Sequence, residues 1–357
     1  MENILDLLRL AKQEDASDLH LVSGCAPMFR INGALQPADS MKLLSPEEIS
    51  EAFVQLTTPE QREQFQHTLE LDFGFSLPGV GRLRCNVAQQ RGALSFALRL
   101  LSPEIPTIDE LGLPHICKEL AMRPRGLVIV SGPTGSGKST TLAAMIHHIN
   151  VNRTCHVVTI EDPVEYTHPN LESAITQREL GNDTLSFPAA LKHVLRQDPD
   201  VILVGEMRDL ETAASVLTVA ETGHLVLTTG HAPSAAQAME RVIDMFPPEQ
   251  HYLAQTRLAS LTVGVLSQAL APRADGSGRI AAVEIMLGTP AVANLIREGK
   301  IYQLPNVIRT SSQEGMKTLD QSLVSLYLNG TISGESLVNL CNDRDEIEKL
   351  VGHVVAA

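Results

Sequence analysis

Tryptophan is absent from this 357-residue chain, and aromatic residues make up only 3% of it. A surface that stacks single-stranded nucleic acid needs aromatic faces, so that class of binder is disfavoured. Charge argues the same way. Lys and Arg number 28 against 42 Asp and Glu, a formal net charge of −14, which repels phosphate backbones and anionic membranes except at a local basic patch. No nucleic-acid partner is expected. The five cysteines (Cys25, Cys85, Cys117, Cys155 and Cys341) form no C-x-x-C pair, which disfavours a zinc site or a dithiol redox centre. Their odd number and wide scatter suit a reducing cytosol. No apolar run approaches the roughly 18 residues that suggest a bilayer span. Glu2, Asp6, Arg9 and Lys12 interrupt the first apolar positions, unlike a signal peptide. A cytoplasmic protein without direct membrane insertion is expected.

What the chain does have is Gly132-Pro133-Thr134-Gly135-Ser136-Gly137-Lys138-Ser139, which fits G-x-x-x-x-G-K-[ST]. Glycines let backbone N–H groups turn inward around a triphosphate, Lys138 supplies a point charge, and the Ser139 hydroxyl can ligate Mg²⁺. Gly126 to Val130 reads as a buried strand before the loop. Thr140 to Asn150 reads as a helix after it, with its positive end toward the anion. Pro133, Thr134, Gly135, Ser136, Gly137, Lys138, Ser139 and Thr140 are therefore the expected ATP-binding residues.

The spacing of Ile4, Leu7, Leu8 and Ala11 predicts an amphipathic helix. Leu19 and Leu21 alternate as in a strand, and Asn32-Gly33 suggests a hairpin turn. Ser45-Pro-Glu-Glu48 and Thr58-Pro-Glu-Gln61 read as capped helix starts. Arg82 to Ala88 alternates, with Leu83, Cys85 and Val87 on one face and Arg82, Arg84 and Asn86 on the other. Leu94, Phe96 and Leu98 form a further strand. These elements predict an α+β domain over 1–100. Residues 101–115, with three prolines, read as a linker. From 116 to 289, apolar runs (Leu127–Val130, Val157–Ile160, Val201–Val204, Leu225–Thr228) alternate with helical stretches, the pattern of an α/β core whose sheet is covered on both faces. Residues 290–357 read as helical: Val292, Leu295 and Ile296 share one face, and Met316, Leu319, Leu323 and Leu326 another. Asn342 with Asp345 suggests the cap of a last helix.

Hydrolysis needs an acid near Mg²⁺ and a group that orients water. Glu206 follows the apolar strand after Asp198, where such an acid sits in an α/β sheet, and is a metal candidate with Ser139. Ile160 to His168 places Glu161, Asp162, Glu165 and His168 after another strand. A carboxylate there suits activation of water, with a charged surface turn as the alternative. His224 and His231 bracket the strand Leu225–Thr228, and a neutral imidazole can donate to a γ-phosphate. Arg82 and Arg84 fit either a solvated basic edge or charge delivered to a phosphate across a boundary.

Together these segments resemble the secretion-ATPase family, and within it the twitching-motility branch of type IV pilus retraction ATPases. The resemblance spans nearly the whole chain. Ile160 to His168 resembles the family's Asp box, Asp198 to Asp209 its Walker B, Glu221 to His231 its His box, and Arg82-Leu-Arg84-Cys-Asn86 its R-x-R-x-N strand. It implies an α/β fold with a RecA-like P-loop NTPase core, a PAS-like amino-terminal domain and a helical carboxyl-terminal part. Glu165 would activate water, Glu206 would support Mg²⁺, and His224 and His231 would couple the γ-phosphate to domain position. A homo-hexamer acting on an inner-membrane platform protein, from the cytoplasmic face of the inner membrane, is implied, with a second retraction ATPase as a further candidate partner. Ala271 to Arg279 occupies the gap where assembly and secretion ATPases carry a four-cysteine insertion. Ala291 to Glu298 resembles the retraction motif AIRNLIRE, departing at Val292 and Ala293. Gly230 and Ala232 replace the family's usual Leu and Thr beside His231. A sibling assembly or secretion motor and a low-turnover nucleotide-binding subunit are the alternatives.

Overall fold

The computed structural model describes residues 3–31, 33–38, 41–101 and 104–351. The chain divides into two compact units. One comprises Met1–Glu104 with Pro163–Thr167, and the other Ile105–Asp162 with His168–Ala357.

The first unit holds β1 (Asp18–Val22), β2 (Met28–Ile31), β3 (Ala34–Pro37), β4 (Glu70–Leu77), β5 (Gly81–Gln90) and β6 (Ala93–Leu100) in one sheet ordered β3-β2-β1-β6-β5-β4. Every pairing is antiparallel. The helix Ile4–Gln13 buries the four residues its spacing singles out, Ile4, Leu7, Leu8 and Ala11. Helices Pro46–Leu56 and Pro59–Thr68 both begin with Pro and a reciprocal capping box, from Ser45 with Glu48 and from Thr58 with Gln61. β5 alternates as expected: Leu83, Cys85 and Val87 are buried in the core of this unit. β2 and β3 pair with Ile31 opposite Ala34, so the hairpin is present. Asn32 itself lies outside the described residues.

The second unit holds β7 (Gly126–Ser131), β8 (His156–Glu161), β9 (Ala174–Glu179), β10 (Val201–Val204), β11 (Leu225–Thr229), β12 (Thr262–Pro272) and β13 (Arg279–Leu287). They form a seven-stranded sheet ordered β13-β12-β7-β11-β10-β8-β9. All neighbours are parallel except the β12–β13 hairpin. Successive residues of its central strands feed opposite cores. Leu127, Ile129, Val158, Ile160, Ile202 and Val204 pack on one face. Val128, Val130, Val157, Val201, Leu203 and Leu227 pack on the other. That two-faced burial is why the strands read as continuous apolar runs rather than as alternating ones.

The prolines of 101–115 do not keep that stretch out of the core, since Ile108 and Leu113 are buried beneath the sheet. Beyond β13, Val292, Ile296, Ile301, Leu304 and Ile308 join one of the sheet's two cores, whereas Leu319, Leu323, Ile332 and Leu337 form a separate cluster against Ala271, Ile280 and Ala282. Two expectations are corrected here. Met316 does not share a face with Leu319 and Leu323: the helix begins at Leu319 behind the capping residue Thr318, and Met316 packs in the other core. The last helix, Arg344–Val351, is entered through Asp343 rather than Asn342, because Asp343 Oδ1 accepts from Asp345 N at 3.0 Å and its carbonyl from Ile347 N at 3.2 Å.

Candidate nucleotide-hydrolysis site

The parallel strands deliver four loops to one end of the sheet. β7 runs into Gly132, β11 into Gly230, β10 into Gly205 and β8 into Asp162. Their stagger is held tightly. Gly230 N donates to Val130 O at 2.9 Å, Gly205 N to Ile160 O at 2.8 Å, and Thr229 Oγ1 to Gly205 O at 2.5 Å.

The loop after β7 has the conformation its glycines allow. Gly132, Gly135 and Gly137 have φ of +142°, +78° and +87°, values that side chains resist. The helix that follows runs Lys138–Asn152, and no side chain caps it. The amides of its first turn therefore lack intrahelical partners and point into the loop, an arrangement that suits an anion. Lys138 is only 9% exposed, and its Nζ donates to Gly132 O at 2.9 Å and Pro133 O at 3.0 Å. Ser136 Oγ is buried without a hydrogen-bond partner among the described residues. Ser139 stands exposed beside Lys138. A buried cation, uncapped amides and a spare hydroxyl fit a triphosphate.

Glu206 lies just past β10, with Arg208 Nε 2.8 Å from its Oε1 and His231 Nε2 4.0 Å from its Oε2. Burial holds the His231 imidazole below its ordinary range, and the charges of Lys138, Arg208 and Arg241 add to this. The ring is therefore neutral at pH 7 and able to donate from one nitrogen.

The structure separates the other expected residues. His224 precedes β11 and His231 follows it, so about 16 Å of strand rise lies between them. The His224 carbonyl accepts from Gly126 N at 3.0 Å, and its Nδ1 lies 3.2 Å from Val219 O. Within one chain, then, the two histidines do not meet at one phosphate: β11 lies between them and sets them at its opposite ends. The Asp-box carboxylates fall in different units, Glu161 and Asp162 in the second and Glu165 in the first. Glu161 is tied to the sheet by Thr159 Oγ1 at 2.6 Å and Gln177 Nε2 at 3.2 Å. Glu165 belongs with the amino-terminal unit, where Arg84 Nη1 lies 3.7 Å from its Oε1. Arg82 Nη1 donates to Ser76 Oγ at 3.1 Å across β4 and β5.

Sequence reasoning missed two residues of the site. Ser131, the last residue of β7, donates its hydroxyl to Ala232 O at 2.7 Å and accepts from Ala232 N at 3.0 Å, locking the residue after His231 to the strand that carries the loop. A Cβ on Gly230 would lie 2.9 Å from Ser131 Oγ, so the small residue here is matched to the serine. Gln268 on β12 donates to Ser136 O at 2.6 Å and accepts from Thr141 Oγ1 at 3.0 Å, bracing the loop against its helix. Its only sequence signal is a polar Ser267-Gln268 pair inside an otherwise apolar strand.

His168 marks where the chain re-enters the second unit, and its N donates to Gln177 Oε1 at 2.8 Å. Burial, with the neighbouring His147, pushes its imidazole from 6.5 down to about 4. Between those values the unfolded chain binds a proton that the folded chain does not. Stability should therefore fall as pH drops from 6.5 toward 4, by up to about 3 kcal/mol. Urea unfolding across that range should show a flatter pH slope for His168→Gln. An unchanged slope would remove His168 as its source.

A phosphate loop at the end of a central parallel strand, with an acid and a neutral histidine on adjoining strand ends, defines a P-loop ATP hydrolase. Residues 91–317 match the family "Type II/IV secretion system protein", and the chain belongs to that family. It is 44% identical over 334 residues to the type IV pilus retraction ATPase PilT of Pseudomonas aeruginosa, covering 94% of this chain and 96% of that one. It is 42% identical over 345 residues to the type IV pilus ATPase PilU of the same organism, covering 97% and 90%. The crystal structure of the pilus retraction motor PilT with bound ADP matches with a TM-score of 0.90 at 40% identity, over 98% of this chain and 100% of that one. This chain is a secretion-system ATPase of the PilT and PilU group.

Proposed function

We propose that this chain is the ATP-hydrolysing subunit of a hexameric motor that retracts a type IV pilus. The observation that carries the reading is its similarity to a retraction ATPase over nearly the full length of both chains, at 44% identity. In this reading Lys138 and the amides of Ser136 to Thr140 hold the phosphates. Glu165 orients or deprotonates the attacking water, and neutral His231 reads the γ-phosphate. Mg²⁺ would be held by the Ser139 hydroxyl with Glu206 behind it, and supplies charge neutralisation to the phosphates when bound. Arg82 and Arg84 deliver charge across a subunit boundary of the ring, and any part His224 takes in hydrolysis is played toward a neighbouring subunit. The motor acts on an inner-membrane platform protein from the cytoplasmic face, and a second retraction ATPase is a candidate partner.

The near-equal identity to PilU, a type IV pilus ATPase whose name specifies no retraction, leaves one second reading, a low-turnover nucleotide-binding companion subunit. Purified protein with Mg²⁺ and ATP tests the chemistry. Glu165→Gln should cut phosphate release by about a hundredfold or more while nucleotide still binds. Release by the wild type no faster than by the variant would favour the companion. Deleting the gene tests the direction. Lost twitching with abundant surface pili supports retraction, and bald cells would refute it.

A further inference from the structure

We propose that Glu284 is a positioning residue that ties the His231 loop to the carboxyl-terminal helices, so that the state of the nucleotide site reaches the segment starting at Lys317. This rests on the reading of His231 as the phosphate-sensing group.

Glu284 lies on β13 opposite Ser267 and is 7% exposed. A carboxylate buried in a sheet is costly unless several donors hold it. Its Oε1 accepts from Ala235 N at 2.6 Å. Burial raises its pKa, and the amides of Ala235 and, more weakly, Leu319 oppose that rise. Both amides open a helix. Ala235 begins Ala235–Asp244, whose cap Ser234 takes the amide of Gln237. Leu319 begins Leu319–Leu328, whose cap Thr318 takes the amide of Gln321. Each helix satisfies its third amide locally, and the first helix also offers its first amide, Ala235 N, to the Glu284 carboxylate.

What lies beyond each helix gives the arrangement its consequence. Ala235 is four residues past His231, and Ala232 between them is pinned to Ser131. The His231 loop is therefore held on one side by the strand that carries the phosphate loop and on the other by Glu284. On the far side, Lys317 exchanges backbone hydrogen bonds with Ile285, the residue after Glu284. Asp320, 3% exposed, accepts from Asn342 N at 2.8 Å and Asp343 N at 3.0 Å, where the last helix is entered. The buried carboxylates of Glu284, beside the Ile285–Lys317 pairing, and of Asp320, three residues past Lys317, thereby link the sensor loop to the entry of the last helix. A shift of the His231 loop that carries Ala235 with it strains this link.

The experiment is hydrogen exchange on the full chain with and without a non-hydrolysable ATP analogue and Mg²⁺. In the wild type the analogue should slow exchange at the P-loop and also change it at residues 317–323. Glu284→Gln keeps the acceptor for Ala235 but loses the charge. It should retain the P-loop response, lose the 317–323 response, and lower kcat about tenfold with little change in KM. A wild type without any response at 317–323, or a Glu284→Gln variant that keeps it, overturns the proposal. His231→Ala separates the two readings. A 317–323 response that survives His231→Ala but vanishes in Glu284→Gln leaves the Glu284 link standing and removes His231 as its source. Should Glu284→Gln prove too unstable, as thermal unfolding would reveal, the wild-type response still decides.

Discussion

Lys138→Ala should abolish measurable ATP turnover. The ammonium is nearly buried, with Gly132 O and Pro133 O as acceptors at 2.9 and 3.0 Å. A triphosphate brings several negative charges into a loop whose other contributions are mainly amide dipoles and hydroxyls. Removing the cation leaves those charges under-compensated and strands two carbonyls that had a charged donor. A single donor aimed at a reacting group is worth about 10²–10³ in rate, and this one bears on binding as well, so the loss should meet or exceed that range. Phosphate release and fluorescent-nucleotide titration measure the two effects. Turnover within about tenfold of the wild type, with micromolar affinity intact, would mean that residues 132–139 do not cradle the substrate.

Gly132→Ala should be nearly as damaging, for a steric reason. A Cβ at this position would lie 2.4 Å from the Gln268 carbonyl oxygen and 2.6 Å from Ser136 Oγ, and the backbone sits at φ +142°. The first obstacle is backbone of a neighbouring strand, so relief requires moving β12 away from β7 or opening the loop. Strain and overpacking of this kind cost about 1–3 kcal/mol each. Gly135 provides the control. Its φ of +78° is also unfavourable for a side chain, but a Cβ there meets nothing within 4 Å. Gly135→Ala should therefore be the milder of the two in both thermal stability and nucleotide affinity. A reversed ranking would show that the loop's fit against β12 does not matter to it.

The fold was legible wherever its cause is local. Capping boxes at Ser45 and Thr58, the alternation of Arg82 to Ala88 and the glycine-lysine loop all act within a few residues, and each element formed where its pattern lies. The apolar runs also announced a sheet covered on both sides. The site was legible only in part, because its bracing is long-range. Ser131 meets Ala232 across 101 residues, Gln268 meets Thr141 across 127, and Glu284 meets Ala235 across 49. No spacing rule reaches that far. The placement of His224 and His231 on either side of a strand was legible, and the extended strand between them sets them at its opposite ends. Met316 and Asn342 show a smaller version of the same limit, since a shift of one to three residues in where a helix begins reassigns which side chain caps and which packs.

The alternation of β7 between two cores makes the sheet a ruler. Leu127 and Ile129 are committed to one side and Val128 and Val130 to the other. A slip by one residue would turn the strand inside out. The height at which Gly132 leaves the sheet, relative to Gly205 and Gly230, is thus graduated in steps the protein cannot subdivide. Natural variation in such a chain has room at the hairpin tip between Arg273 and Gly278, where an added residue shifts no mark on the scale. It has almost none between Gly126 and Ser131, where one insertion would erase the measure by which the catalytic loops are aligned.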